Sequence, residues 1–166
     1  MRPSEPPKAD HCDISIPSSK SSQSPLARST TSKRATALVT RAIDGDTVEV
    51  RIGGRAEEVR YIGVDTPETV KPGTPVQCFG PRASAFNHRL VEGRRVRLVL
   101  GAERRDVYGR LLAYVYLGRR FVNAALVRRG LARSLTIPPN DRFAPLFRSL
   151  ELAAGRRGAG LWRACG

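Results

Sequence analysis

Two turn dipeptides nine positions apart, Asp44-Gly45 and Gly53-Gly54, constrain the fold of this chain more than any other feature of its sequence. Asp-Gly and Gly-Gly suit the tight turns whose backbone twist matches a pair of antiparallel strands. The residues around them read as those strands. Leu38, Val39 and Ile43 lead into the first turn, and Val48, Val50 and Ile52 alternate with Thr47, Glu49 and Arg51 between the two. A third run extends from Val59 to Val64, so the pattern predicts a three-stranded antiparallel meander. Further on, Pro81 to Glu92 reads as a helix, with Pro in its first turn, Ala83, Phe86 and Leu90 on one stripe, and Gly93 as its stop. Strands are expected at 95 to 100 and 111 to 117. Asn123 is placed to cap a short helix carrying Leu126 and Val127 and ended by Gly130. Phe143, Phe147, Leu150 and Ala154 recur at helical spacing over 143 to 154. Five short strands and three helices in about 130 residues predict a mainly β domain of α+β class, a small barrel with helices against it.

Composition sets the limits of that domain. Residues 1 to 34 hold nine Ser and five Pro, with Ile14, Ile16 and Leu26 as their larger aliphatic side chains. Such a stretch cannot bury enough surface to offset the entropy of ordering it, so it is expected to form a disordered tail. His11 and Cys12 lie there without the further ligands that a metal site needs. The folded unit is expected at 35 to 166, a length that fits one domain. No run of about eighteen apolar residues occurs, which excludes a membrane-spanning helix. The apolar stretch of a secretory signal is not visible near Met1. Three Cys are too few for a disulfide-dense miniprotein or a four-cysteine zinc site. Lys and Arg number 29 against 15 Asp and Glu, a net charge of +14, and 25 of the bases are Arg. The planar Arg fork matches phosphate bidentately, so this excess points to a polyanionic partner.

Acidic residues gather at two expected strand ends. Asp44 and Asp46 flank the first turn, where their mutual repulsion would favour a bound cation, although Asp-Gly alone is also an ordinary turn. Asp65-Thr66-Pro67-Glu68 follows the third strand, where Pro67 stiffens a loop able to present two carboxylates and a backbone carbonyl. Hard oxygen ligands from two strand ends suit calcium or magnesium, and no Cys or His cluster argues for zinc. Strict alternation places Arg60 on the face of Ile62 and Val64, and an Arg among apolar neighbours needs an anion. That anion is either a carboxylate such as Glu68, or a phosphate shared with a second Arg and the metal. The second Arg is expected from Asp106-Val107-Tyr108-Gly109-Arg110, which also reads as a simple turn. The Arg doublets at 94-95, 104-105, 119-120, 128-129 and 156-157 read as solvated faces that add salt-dependent affinity for nucleic acid. His88 has no second His in the folded unit, which argues against a histidine acid–base pair.

Taken together, Ile43-Asp44-Gly45-Asp46-Thr47-Val48, Val64-Asp65-Thr66-Pro67-Glu68-Thr69, Tyr108-Gly109-Arg110 and Phe121-Val122-Asn123-Ala124-Ala125-Leu126-Val127 resemble the staphylococcal nuclease (thermonuclease) family in order and spacing over about 36 to 163. The helix start Gly80-Pro81-Arg82-Ala83-Ser84-Ala85-Phe86 is similar to the family's version. The resemblance implies an oligonucleotide-binding (OB-fold) barrel of five strands with three helices. It implies a calcium-dependent, sugar-nonspecific phosphodiesterase that cuts DNA and RNA at the bond to the 5′ oxygen and leaves 3′-phosphates. By position, Asp46 and Asp65 resemble the metal-binding carboxylates, Thr66 the carbonyl ligand and Asp44 an outer-sphere neighbour. Arg60 and Arg110 resemble the arginines that clamp the scissile phosphate, Glu68 the carboxylate that activates or orients water, and Tyr108 a phenol on the terminal phosphate.

This chain departs from the family's pattern at three places. Val107 stands where a Lys often precedes the Tyr, and Leu135, Thr136 and Ile137 stand where some members carry tyrosines that stack on the base. Base affinity is the property these changes touch, because stacking contributes roughly 1 to 3 kcal/mol per base. Cys78 and Cys165 are placed so that a bridge can tie the first helix entry to the C-terminus, or they stay as two reduced thiols. A bridge and the family's habit favour export, whereas the missing signal favours the cytoplasm, so the compartment stays open. Single-stranded or locally melted DNA and RNA are the expected partners, with no membrane, and a monomer is expected. An inactive OB-fold module that only binds nucleic acid is the alternative, as is a generic polyanion binder insensitive to calcium.

Overall fold

The computed structural model describes residues 34–165. The expected tail, with His11 and Cys12, lies outside the described residues except for Arg34, which opens the first strand. Strands β1 (Arg34–Asp44), β2 (Thr47–Ile52) and β3 (Arg55–Tyr61) form an antiparallel meander. Gly53 and Gly54 both hold positive φ, 55° and 83°, which the favoured two-residue hairpin turn requires at both central positions. In the first hairpin Asp44 pairs with Thr47, so the turn residues are Gly45 and Asp46. Gly45 is needed there for space, since a Cβ on it would come within 2.7 Å of Thr66 Oγ1.

β3 stops at Tyr61. Gly63 (φ 80°) turns the chain before the two-residue β4 (Val64–Asp65). This break corrects the expected continuous run to Val64. Val59 and Tyr61 face the core, at 0% and 1% exposure, while Ile62 and Val64 are buried through the turn and β4. Arg60 therefore shares no strand face with them, because the alternation of side chains does not carry across a turn made at positive φ.

The chain continues through α1 (Gly80–Val91), β5 (Arg95–Arg105), β6 (Leu111–Leu117), β7 (Arg120–Phe121), α2 (Val122–Arg128), β8 (Arg133–Ser134), α3 (Ala144–Arg156) and α4 (Leu161–Ala164). The sheet order is β3-β2-β1-β5-β6-β7, and a parallel pairing of β3 with β6, Val59 opposite Leu111 and Tyr61 opposite Ala113, closes five strands into a barrel. Its interior is filled by Val39, Val48, Val50, Val59, Val96, Leu98 and Val115, all at 0% or 1% exposure. Each such side chain contributes about 1.5 to 3 kcal/mol on burial. β-Branched residues dominate because they pack well on a pleated surface.

β5 runs past the expected end at residue 100, with its register against β6 shifting between Leu100 and Arg105. Asn123 does not cap α2: Phe121 occupies that position without a side-chain hydrogen bond. Asn123 instead accepts from the Val115 N–H (2.9 Å) and donates to the Ile62 carbonyl (2.8 Å), tying β6 to the turn after β3. Phe147 of α3 seals that turn, and Gly63 has no room for a Cβ, which would lie 2.3 Å from the Phe147 ring. The fourth helix, α4, was not visible as a periodic pattern; the Leu161 N–H donates to the Gly130 carbonyl at 2.9 Å. Cys78 and Cys165 form a disulfide with Cα atoms 5.8 Å apart. Among the described residues no helix is long and apolar enough to cross a membrane.

Candidate active site

Four segments meet at one end of the barrel: the β1–β2 turn, the end of β3, the loop after β4, and the β5–β6 loop. They enclose a cleft of about 520 Å³ lined by Asp44, Asp46, Arg60, Asp65, Thr66, Glu68, Tyr108 and Arg110. All eight residues singled out from the sequence as catalytic, metal-binding or substrate-binding thus face one space.

Asp46, at the apex of the first hairpin and 5% exposed, joins two of these segments. Its Oδ2 accepts from the Thr66 N–H (2.7 Å) and the Thr66 hydroxyl (2.9 Å), and its Oδ1 accepts from the Thr47 hydroxyl (3.1 Å). Arg60 fills the bend after β3. Its Nη1 donates to the carbonyls of Tyr61 (2.9 Å) and Val64 (2.7 Å), and its Nη2 lies 3.0 Å from Asp65 Oδ1 and 3.3 Å from Asp46 Oδ2. Glu68, the carboxylate named as one alternative anion for Arg60, is not the partner found. The turn at Gly63 folds Asp65 back towards Arg60, whereas Glu68 is drawn into its own loop.

Glu68 Oε1 accepts the backbone N–H groups of Thr69 (2.9 Å), Val70 (2.9 Å) and Lys71 (3.0 Å). Burial by itself would raise its pKa, but the N–H groups of Val70 and Lys71, with the Asp44 carboxyl and the Thr69 N–H, outweigh burial and hold it below the usual value. Asp44 moves the other way. Burial raises it, and the charges of Asp46 and Glu68 add to the rise, against hydrogen bonds to its Oδ1 from the Thr69 hydroxyl (2.7 Å) and Gly45 N–H (2.8 Å). Asp65 is also raised by burial, partly offset by Arg60 and reinforced by Asp46 and Glu68. Burial of Asp44 and Asp65, set against the N–H donors around Glu68, produces this spread; the like charges add to it, and a cation placed among them would relieve that part.

On the opposite wall, Arg110 Nε donates to Asp106 Oδ2 at 2.7 Å, while Asp106 Oδ1 accepts the N–H groups of Tyr108 and Arg110, both at 3.0 Å. One carboxylate thus closes the loop and aims the guanidinium, whose two Nη groups have no partner among the described residues. Tyr108 is 81% exposed, with its ring 5.4 Å from that guanidinium, and Val107 is 93% exposed. An adjoining cavity of about 400 Å³ shares Arg60, Tyr108 and Arg110 and is walled by Leu112, Leu135, Ile137 and Asn140.

Several supporting residues escaped the sequence reading. Asp106 had a visible signal, an Asp three residues before a Gly in a loop, but no role was drawn from it. Gln77 holds Glu68 from both sides, accepting from the Glu68 N–H (3.0 Å) and donating its own N–H to the Glu68 carbonyl (2.9 Å). Asn87, in α1, accepts from the Tyr61 hydroxyl (2.9 Å) and donates to the Asp44 carbonyl (2.8 Å). These partners lie 9, 26 and 43 residues away in the chain, and no local pattern marks them.

The donor chemistry fits a hard divalent cation. Asp46 and Asp65 converge on one cationic nitrogen of Arg60, so two carboxylates from separate segments can serve a single positive centre. Among the described residues no three His, Cys, Asp or Glu side chains form a ready-made cage, so a cation here would draw on two carboxylates, backbone carbonyl and water.

A closed five-stranded barrel with carboxylates set against arginines in a cleft at its end defines an oligonucleotide-binding type of barrel carrying an anion-directed site. The chain matches the family described as Staphylococcal nuclease homologue over residues 58–164, and it belongs to that family. It is 45% identical over 139 residues to a thermonuclease of Staphylococcus intermedius, covering 83% of each chain. It is 43% identical over 124 residues to a thermonuclease of Staphylococcus hyicus, covering 75% of this chain and 73% of that one. It is also 43% identical over 128 residues to endonuclease YncB of Bacillus subtilis, covering 76% of this chain and 61% of that one.

Proposed function

We propose that this protein is a calcium-dependent nuclease that hydrolyses phosphodiester bonds of DNA and RNA without regard to the sugar, cutting at the bond to the 5′ oxygen and leaving 3′-phosphates. The observation that carries this reading is the convergence of Asp44, Asp46, Asp65 and Glu68 with Arg60 and Arg110, from separate segments, in one cleft. The likeness to thermonucleases supports it. Single or locally melted strands are the substrates this reading assigns, with the protein acting as a monomer. The Cys78–Cys165 bond favours an oxidising compartment.

Asp46, Asp65 and the Thr66 carbonyl are the groups that would hold calcium, which when bound neutralises charge on the phosphate. Arg110 offers its two Nη groups to the phosphate as charge grows, with Arg60 on the facing wall. Glu68 stays ionised and accepts a hydrogen bond from the attacking water, opposite the departing 5′ oxygen. Its lowered basicity favours orienting the water over removing its proton. Tyr108, exposed at the rim, would hydrogen-bond a terminal phosphate.

Digestion of single-stranded DNA, duplex DNA and RNA with calcium, magnesium or chelator tests the reading, beside an Arg110→Ala control. The expected result is calcium-dependent cleavage that falls about 10²- to 10³-fold in the control, the usual loss for one charge-stabilising donor. Binding without cleavage in every metal would overturn it in favour of an inactive binding barrel.

A further inference from the structure

A polynucleotide extends beyond the phosphate at which it is cut. We infer that the strand leaves the cleft past Asp65 and runs over a ribbon of two aromatic-backed arginines, Arg133 on Trp162 and Arg129 on Phe86. This rests on the nuclease reading above and adds a path for its polymer substrate.

Contiguity comes first. Asp65 of β4 pairs with Arg133 of β8, so Arg133 begins where the cleft ends. The Arg133 guanidinium lies 4.5 Å from the Trp162 ring. Residue 162 follows Leu161, whose N–H is bonded to the Gly130 carbonyl, and Gly160 sits so close to Gly130 that a Cβ on it would lie 2.3 Å from the same oxygen. Arg129, next to Gly130, lies 4.9 Å above the Phe86 ring of α1. The disulfide fixes α4 against the entry to α1. The two pairs therefore sit on segments that meet at Gly130 and are tied by backbone contact and the disulfide.

Charge comes second. Both arginines are exposed, and both rings are half-buried. Among the described residues, side-chain ion pairs involve only Arg41, Arg60, His88, Arg105 and Arg110 on the basic side, so neither Arg129 nor Arg133 has a carboxylate within 4.0 Å, although the charge of Arg133 reaches Asp65 and helps to hold its carboxyl down. Glu151, near β8, is engaged by the N–H and hydroxyl of Ser134. An arginine held over a ring by cation–π attraction has its rotamers restricted while it remains a donor for phosphate. Two exposed guanidinium groups with no carboxylate in ion-pair reach fit the phosphates of a single strand.

The test measures binding apart from cutting. Anisotropy of a labelled single strand of about 16 nucleotides, near the upper end of what one such barrel covers, is followed in chelator for wild type and for Arg129→Gln, Arg133→Gln. Affinity is expected to fall about tenfold, and the slope of log K against log salt by about 1.4, some 0.7 for each lost phosphate contact. The lysine pair, Arg129→Lys with Arg133→Lys, should keep the wild-type slope, and circular dichroism checks the fold of each variant. With calcium, Arg129→Gln should raise KM for the long strand several-fold while a trinucleotide shows no matching rise. Unchanged long-strand affinity and salt slope in the glutamine pair, or an equal loss on the trinucleotide, would overturn the ribbon. If wild type cuts nothing but the glutamine pair still loses long-strand affinity, the nuclease reading fails and the ribbon stands.

Discussion

Replacing Arg60 by Ala tests what its guanidinium does for the fold. It removes two hydrogen bonds to backbone carbonyls, at 2.9 and 2.7 Å, and contacts of 3.0 and 3.3 Å to Asp65 and Asp46. The four do not weigh equally. The Asp65 side chain is 57% exposed, so that contact is screened by water and adds about 0 to 1 kcal/mol. The Arg60 and Asp46 side chains are 15% and 7% exposed, and removing one partner of a pair that dry costs about 3 to 5 kcal/mol. The carbonyls of Tyr61 and Val64 lose charged donors, and water entering the space left by the side chain restores part of that loss. The net expectation is about 3 to 5 kcal/mol, or roughly 10 to 20 °C in Tm for a domain of this size. Urea titration in chelator measures it, and the m-value should not change. Calcium should then stabilise Arg60→Ala more than wild type, since the carboxylates left facing each other regain a counter-charge. A variant within about 1 kcal/mol of wild type in chelator would refute the reasoning, because Arg60 would then not be holding the bend after β3.

Three further outcomes follow from the same geometry. Opening the disulfide with Cys78→Ser and Cys165→Ser frees a loop of 87 residues, and the chain-entropy relation predicts a loss of about 4.6 kcal/mol, read as a lower urea midpoint with no reductant present; a shift below about 1 kcal/mol would contradict it. Gly63→Ala must both hold φ at 80° and push Phe147 aside, so about 2 to 4 kcal/mol should be lost, and thermal melting that matched wild type would show that α3 shifts freely. Asp44→Asn keeps an oxygen acceptor for Gly45 and Thr69 but drops a charge beside Asp46 and Glu68. Because the folded pKa of Asp44 is raised, the folded state binds the proton more tightly than the unfolded chain does, and wild-type stability falls as pH rises through that value. The Asn variant should therefore be the more stable protein at pH 8, with the difference closing as pH falls through the usual carboxylate range; a gap independent of pH would point to some cause other than charge.

The local chemistry of the sequence carried much of this molecule. Gly53-Gly54 specified a hairpin because only glycine takes positive φ twice in succession without strain. Alternating valines specified strands, and the stripe through Ala83, Phe86 and Leu90 specified α1, because a periodic apolar pattern can be buried in only one backbone geometry. The eight residues named for the site were legible as motifs, and they do share one cleft. The partners of those residues were not legible. The pattern around Arg60 suggests the middle of an unbroken strand with Glu68 as a candidate partner, whereas Gly63 turns the chain and brings Asp65 and Asp46 to it. Asn123 was read as a helix cap from its neighbours, yet it joins β6 to the turn after β3. Hydrogen bonds of that kind depend on the closing of β3 against β6 and of β4 against β8, pairings that put residues far apart in the chain beside one another. Local sequence sets φ, ψ and which face is apolar. Which carboxylate meets which guanidinium is decided only when the barrel closes, since that energy depends on distances that no local pattern contains.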